Sequence, residues 1–197
     1  VTNILVEQLP VAVEIDGVEY PINFDFRACL RVILAFEDDT LTGLEKQQVM
    51  LTNLYPQMPD NVWKAIEMGV RFLNGGGDGK DTEAEPSPRV YSFAKDANLI
   101  FAAFQQTHGI DLETARLHWW KFLALFMDLG SETTFCQLVS LRKRVKTGKA
   151  TKEERKAARE LGDVFDVPEP DTRSLAERDA EDEFMRLVRA GEQARQR

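Results

Sequence analysis

The sequence predicts a mainly α protein: a bundle of about six to seven helices around a central helical hairpin, with a small N-terminal β-hairpin. Three observations lead there. Only "VAVEIDGVEYPI" (11–22) alternates apolar and polar residues. From residue 25 onward, apolar residues recur at helical spacing in one segment after another. Two neighbouring segments, "NLIFAAFQQ" and "LHWWKFLALFM", are apolar around most of a helix's girth, which places them at the centre.

The hairpin turns at Asp16-Gly17, a favoured two-residue turn. That turn sets Ile15 against Val18, Val13 against Tyr20 and Val11 against Ile22, with all six side chains on one face. Pro21 has no donor, so the second strand belongs at an edge.

Asp25 can cap a first helix, "FRACLRVILAFED", with Phe26, Leu30, Ile33 and Leu34 as its inner stripe. A second, "TGLEKQQVMLTNLY", turns Leu44, Val49, Leu51 and Leu54 inward and ends at Tyr55-Pro56. A third follows Asp60 or Asn61 as cap, with Val62, Ile66, Val70 and Leu73 inside and Gly75 as stop. Residues 75–89, rich in glycine, proline and acids, read as a flexible loop. A fourth helix runs through "SFAKDANLIFAAFQQT" and ends at His108-Gly109. A fifth starts at Asp111 and ends near Gly130, so that the short turn before it makes an antiparallel hairpin with the fourth. Ser131 caps a sixth, with Phe135, Leu138, Val139 and the stem of Arg142 along its stripe. "TKEERKAARELGDVF" is a more polar seventh. The domain organisation is thus a helical domain over 1–165 and a polar, helix-prone tail over 166–197.

Composition narrows the function. The chain has 197 residues, 43% hydrophobic and 29% charged, with net charge -8, so its surface as a whole does not advertise nucleic-acid binding. Its two cysteines, Cys29 and Cys136, sit in apolar patterns and read as free thiols of a reducing compartment. The start "VTNILVEQLP" lacks the features of a signal peptide, and the longest apolar runs are too short to span a bilayer. A soluble, intracellular protein that does not engage the membrane is expected.

His118, beside Trp119 and Trp120, invites a catalytic reading. A partly buried imidazole bonded to a backbone carbonyl or a carboxylate is preferred to a general base, because no reacting partner is apparent nearby. His108 and His118 lack the close spacing of zinc ligands. "GGGDGKD" fails as a phosphate loop: its glycine spacing is one residue short, and Lys80 is followed by Asp81. The acidic pairs Asp38-Asp39 and Glu153-Glu154 read as solvated. No catalytic residue, metal or cofactor is expected.

One segment stands apart from this acidic chain. Arg142, Lys143, Arg144, Lys146, Lys149, Lys152, Arg155, Lys156 and Arg159 face only Glu153 and Glu154 within it. Two readings stand: complementation of a helix C-terminus on a wet surface, or an electropositive patch for an acidic partner, a protein ahead of nucleic acid. The acidic stretch "AERDAEDE" could fold back onto it.

The motifs "IN-DFR" (Ile22, Asn23, Asp25, Phe26, Arg27), "AAF" then "GIDL" (Ala102, Ala103, Phe104; Gly109, Ile110, Asp111, Leu112), "HWWKF" (His118, Trp119, Trp120, Lys121, Phe122) and Arg142 resemble a family of small tailed-bacteriophage proteins. Its members are encoded between the major tail and tape-measure genes. The resemblance covers roughly residues 12 to 165, and "GIDL" followed by "HWWKF" is its most specific part. His108 stands where the family has an aromatic residue. The resemblance implies a tail-assembly chaperone for the long, helical tape-measure protein, or else a minor tail or connector component of the virion. The tape-measure protein is the expected partner; the tail-tube protein and a second copy of the chain are further candidates.

Overall fold

The computed structural model describes residues 4–77 and 88–167. Most of the segment read as a flexible loop, and nearly all of the C-terminal tail, lie outside the described residues. Within them the order is β1 (Ala12–Ile15), β2 (Val18–Pro21), α1 (Phe26–Glu37), α2 (Gly43–Leu54), α3 (Val62–Leu73), α4 (Ala97–His108), α5 (Trp119–Met127), α6 (Thr134–Lys146) and α7 (Lys152–Leu161), then a 3-10 turn, Gly162–Val164. The fold is mainly α, with one two-stranded antiparallel hairpin at its N-terminal side.

The hairpin has the register its turn dictates. Asp16 and Gly17 both take positive φ, 50° and 81°, as a type I′ turn requires. Ile15 pairs with Val18 and Val13 with Tyr20. The Ile22 N–H donates to the Val11 carbonyl at 3.0 Å, which extends the pairing outward. The shared face is covered only in part: Val13, Ile15 and Ile22 are buried, while Val11 and Val18 stay exposed.

Side chains start most of the helices. Asp25, Thr42, Asn61, His118, Thr133 and Thr151 each accept a backbone N–H of the first turn, and Thr42 and Thr151 form reciprocal capping boxes with Glu45 and Glu154. Each such cap contributes about 1 kcal/mol. Thr133, not Ser131, therefore begins α6. α4 lacks a side-chain cap, and it starts at Ala97 rather than near Ser92. The residues before it are bound elsewhere: the Glu37 carboxylate accepts Ser92 Oγ at 2.7 Å and the N–H groups of Phe93 and Ala94 at 3.1 Å, and it pairs with Arg89.

The inner faces of three helices differ from expectation. In α1 the buried line is Phe26, Cys29 and Val32, while Leu34 is exposed. In α2 Leu44 points out, and Met50 joins Leu51 and Leu54 inside. In α3 Val62 and Val70 are exposed, and Ala65, Gly69, Phe72 and Leu73 are buried. Small residues explain the last case. A Cβ on Gly69 would lie 3.3 Å from Leu54 Cδ1, so α3 approaches α2 along its Ala65–Gly69 side.

The core centres on Phe122, which is fully buried. Its ring stacks with those of Phe26 (5.1 Å), Phe104 (4.9 Å) and Trp119 (5.5 Å). α4 and α5 meet at the Phe104–Phe122 stack, but the short turn expected between them is a long connection over 109–118. Contacts ascend along both: His108 Nε2 bonds the Leu125 carbonyl at 2.9 Å, and Thr107 Oγ1 accepts the Gly130 N–H at 3.1 Å. A short turn would instead have set the end of α4 against the start of α5.

Candidate functional site

The histidine and paired tryptophans are structural. Trp119 is 1% exposed, and its indole N–H donates to the Leu73 carbonyl at 2.8 Å. The Trp120 indole donates to the Phe72 carbonyl, also at 2.8 Å. Phe72 and Leu73 are the last two residues of α3, whose final carbonyls lack partners within the helix. The two indoles therefore close the C-terminus of α3. His118 Nδ1 accepts the Trp120 N–H at 3.0 Å, so Nε2 carries the proton and donates to the Pro10 carbonyl at 2.9 Å. Burial pushes this imidazole below its ordinary pKa, and the Pro10 carbonyl pulls weakly the other way. Trp120 also borders a cleft of about 230 Å³ with Pro10, Val13, Met68 and Gly76, but no histidine lines it. Among the described residues, no group of three His, Cys, Asp or Glu side chains is placed to hold a metal.

The helix expected from Asp111 begins eight residues later, at Trp119, with His118 as its cap, so Asp111 and His118 do not share a helical face. Arg27 supplies the cause. Its guanidinium donates to the carbonyls of Leu112 and Glu113 at 2.7 Å and of Ala115 at 2.9 Å. Those carbonyls would otherwise accept within a helix. Asp111 turns the chain in the same place, its carboxylate accepting the Glu113 N–H at 2.8 Å. The chain then runs beside Phe24–Phe26, where the Trp119 N–H reaches the Phe24 carbonyl and the Phe26 N–H reaches that of Leu117. The segments "DFR", "GIDL" and "HWW" thus meet at one junction.

The basic segment does not form a uniform patch. Arg142, expected to lend only its stem to the interior, is 0% exposed in its entirety. Its guanidinium grips the Asp96 carboxylate with two bonds of 2.7 and 3.0 Å. Arg144 pairs with Glu154 at 2.8 Å, and Lys146 donates to the Arg89 carbonyl at 2.8 Å. Arg155 binds the Ala150 carbonyl, and Lys156 lies 3.7 Å from Glu160. Lys143, Lys149, Lys152 and Arg159 remain on the exposed surface of α6, α7 and the link between them.

A different surface is apolar. Between α2 and α3 lies a cleft of about 370 Å³, lined by Leu44, Gln47, Gln48, Leu51, Thr52, Met58, Val62, Trp63 and Ile66. None of these side chains is charged. Trp63 is 78% exposed, Leu44 74% and Met58 51%. On α2 the lining residues recur at i, i+3, i+4, i+7 and i+8, one helical stripe that is buried at Leu51 and open at Leu44, Gln48 and Thr52 among the described residues. Asp60, Lys64 and Glu67 are close in sequence to the lining residues, the last two 3.9 Å apart.

A family model described as "Bacteriophage Gp15 protein" matches residues 5–167. The chain belongs to the bacteriophage Gp15 family. No curated protein matches it, and no solved structure does. In this Gp15-family chain most of the residues that carry the resemblance face inward or bond backbone, while Ala102 and Lys121 lie on the surface. Sequence reasoning misses the apolar cleft, because the helical period places Leu44 and Val62 in the core and leaves Trp63 off the stripe. The available signal was Trp63 itself, a large aromatic one position off the stripe that runs through Val62, Ile66 and Val70.

Proposed function

We propose that this Gp15-family protein is a tail-assembly chaperone that binds helical stretches of the tape-measure protein in the host cytoplasm, without turnover. The observation that supports this most directly is the apolar cleft between α2 and α3, left open among the described residues, on a phage protein whose Arg27, Asp111, His118 and Arg142 are engaged by its own fold. A holding chaperone needs such a surface on an otherwise dispersed molecule, and the net charge of -8 keeps complexes apart.

Co-expression tests the reading. The tape-measure protein should gain solubility and co-purify with this chain; failure of both would count decisively against it. Mass spectrometry of purified particles separates it from the alternative, a minor tail or connector component. A chaperone is absent from mature virions, whereas a component is present in fixed ratio.

A further inference from the structure

We infer that the α2–α3 cleft takes a single amphipathic helix whose apolar stripe is flanked by basic residues, with Trp63 as its main anchor. This rests on the chaperone reading and specifies its binding site. Charge and shape set the class of occupant. Trp63, Leu44, Met58 and Val62 together expose on the order of 400 Å² of apolar side chain. That area would serve one helix lying in a groove or a second copy of this chain, and the net charge of -8 on each copy disfavours the second. The stripe from Leu44 to Thr52 runs a little over two turns, about 12 Å, which three turns of a partner helix would cover.

Charge sets the flanks. The lining is neutral, and among the sequence neighbours of its residues Glu45, Asp60 and Glu67 outnumber Lys46 and Lys64. The whole chain adds a net charge of -8, so basic flanks are drawn in and acidic flanks repelled. The anchor follows from exposure: an interface tryptophan that is free before binding gains most from being covered.

The protein carries its own reporter. Of its three tryptophans, Trp119 is buried and Trp120 half-buried, so Trp63 dominates quenching by acrylamide. The probe is a synthetic amphipathic helix with leucine at i, i+3, i+4 and i+7 and lysines on either side; its counterpart carries glutamates instead. The lysine peptide should protect Trp63 from acrylamide and shift its emission to the blue. The glutamate peptide should bind roughly tenfold more weakly at low salt. With affinity read from the anisotropy of a fluorescein-labelled lysine peptide, Trp63→Ala and Leu44→Glu should each lower it about thirtyfold while leaving the melting temperature unchanged.

Unaltered peptide affinity in both variants would overturn the inference. So would a Trp63 already protected in the free chain, which would mean the chain covers its own cleft. A dimer in sedimentation that Leu44→Glu dissolves would assign the surface to a second copy instead. The two proposals fail separately. Tape-measure protein that still co-purifies with both variants removes the site and leaves the chaperone; peptide bound at the cleft with no tape-measure protein retained removes the chaperone and leaves the site.

Discussion

Replacing Arg142 with methionine should strongly destabilise the protein. All five guanidinium N–H donors are used: two on Asp96, one each on the carbonyls of Phe165 (2.8 Å), Val164 (2.6 Å) and Val90 (3.2 Å). Methionine preserves much of the stem but leaves Asp96, 3% exposed, without its cation. Removing one partner of a buried ion pair costs about 3–5 kcal/mol, because the other charge stays desolvated. For a chain of 197 residues that corresponds to a fall in melting temperature of about 6–20 °C. Urea denaturation of the wild type, Arg142→Met, Asp96→Asn and the double variant gives the coupling. The double variant should be less damaged than the sum of the two singles, by about 0.5–3 kcal/mol. A change within about 0.5 kcal/mol for Arg142→Met, the range of ordinary surface substitutions, would refute the burial argument and return Arg142 to the electropositive patch.

Other outcomes follow from the same geometry. His118 has a folded pKa lowered from 6.5, so it contributes stability that is present above about pH 6.5 and lost as pH falls, when protonated Nδ1 can no longer accept the Trp120 N–H. Chemical denaturation between pH 7.5 and pH 5 should show this slope in the wild type and a smaller one in His118→Asn, which keeps a capping oxygen; equal slopes would contradict it. Gly76 has φ 86°, and a Cβ there would sit 2.8 Å from Trp120 Cη2, so Gly76→Ala should cost about 2–3 kcal/mol. Gly148→Ala, with φ 72° and open space, should cost only about 1–2 kcal/mol by thermal melting, and equal losses would discount the tryptophan contact. Burial and the nearby Asp25 push the Cys29 thiol up to about 12, so at pH 8 a thiol reagent should label Cys136 well before Cys29, with mass spectrometry resolving the order.

The sequence was most legible where its signals were local. An Asp-Gly turn and alternating residues fix the β-hairpin register over a few positions, and the register agrees residue by residue. Helices were recognisable by period, but their inner faces depended on fit: Ala65 and Gly69 take the inside of α3 because α2 can approach them, and the larger Val62 and Val70 are left out. The late start of α5 was not readable from residues 111–118 alone. The group that captures their carbonyls, Arg27, lies 85 residues earlier in the chain for the Leu112 bond. Arg142 misled in a related way. Its spacing after Phe135 and Leu138 already placed it on the inner stripe of α6, but its charge drew it into the basic patch; only Asp96, brought across from the start of α4, makes its burial tolerable.

Where the motif residues point has a consequence for where binding is encoded. Arg27, Asp111, His118, Trp119, Trp120 and Arg142 are committed to carbonyls, caps and one buried ion pair within the chain. A side chain with its bonding capacity filled internally has little left to offer a partner without first breaking the fold. These six residues therefore belong to the scaffold, and the proposed recognition site lies outside them, in the cleft where Leu44, Met58 and Trp63 are exposed. Two classes of substitution should then separate cleanly. Changes at the motif residues should lower stability and binding together, whereas changes at the cleft should leave unfolding within about 0.5 kcal/mol of the wild type and alter binding alone. A motif variant that folds with full stability yet loses its partner would break that division and move the site to the Arg27–His118 junction.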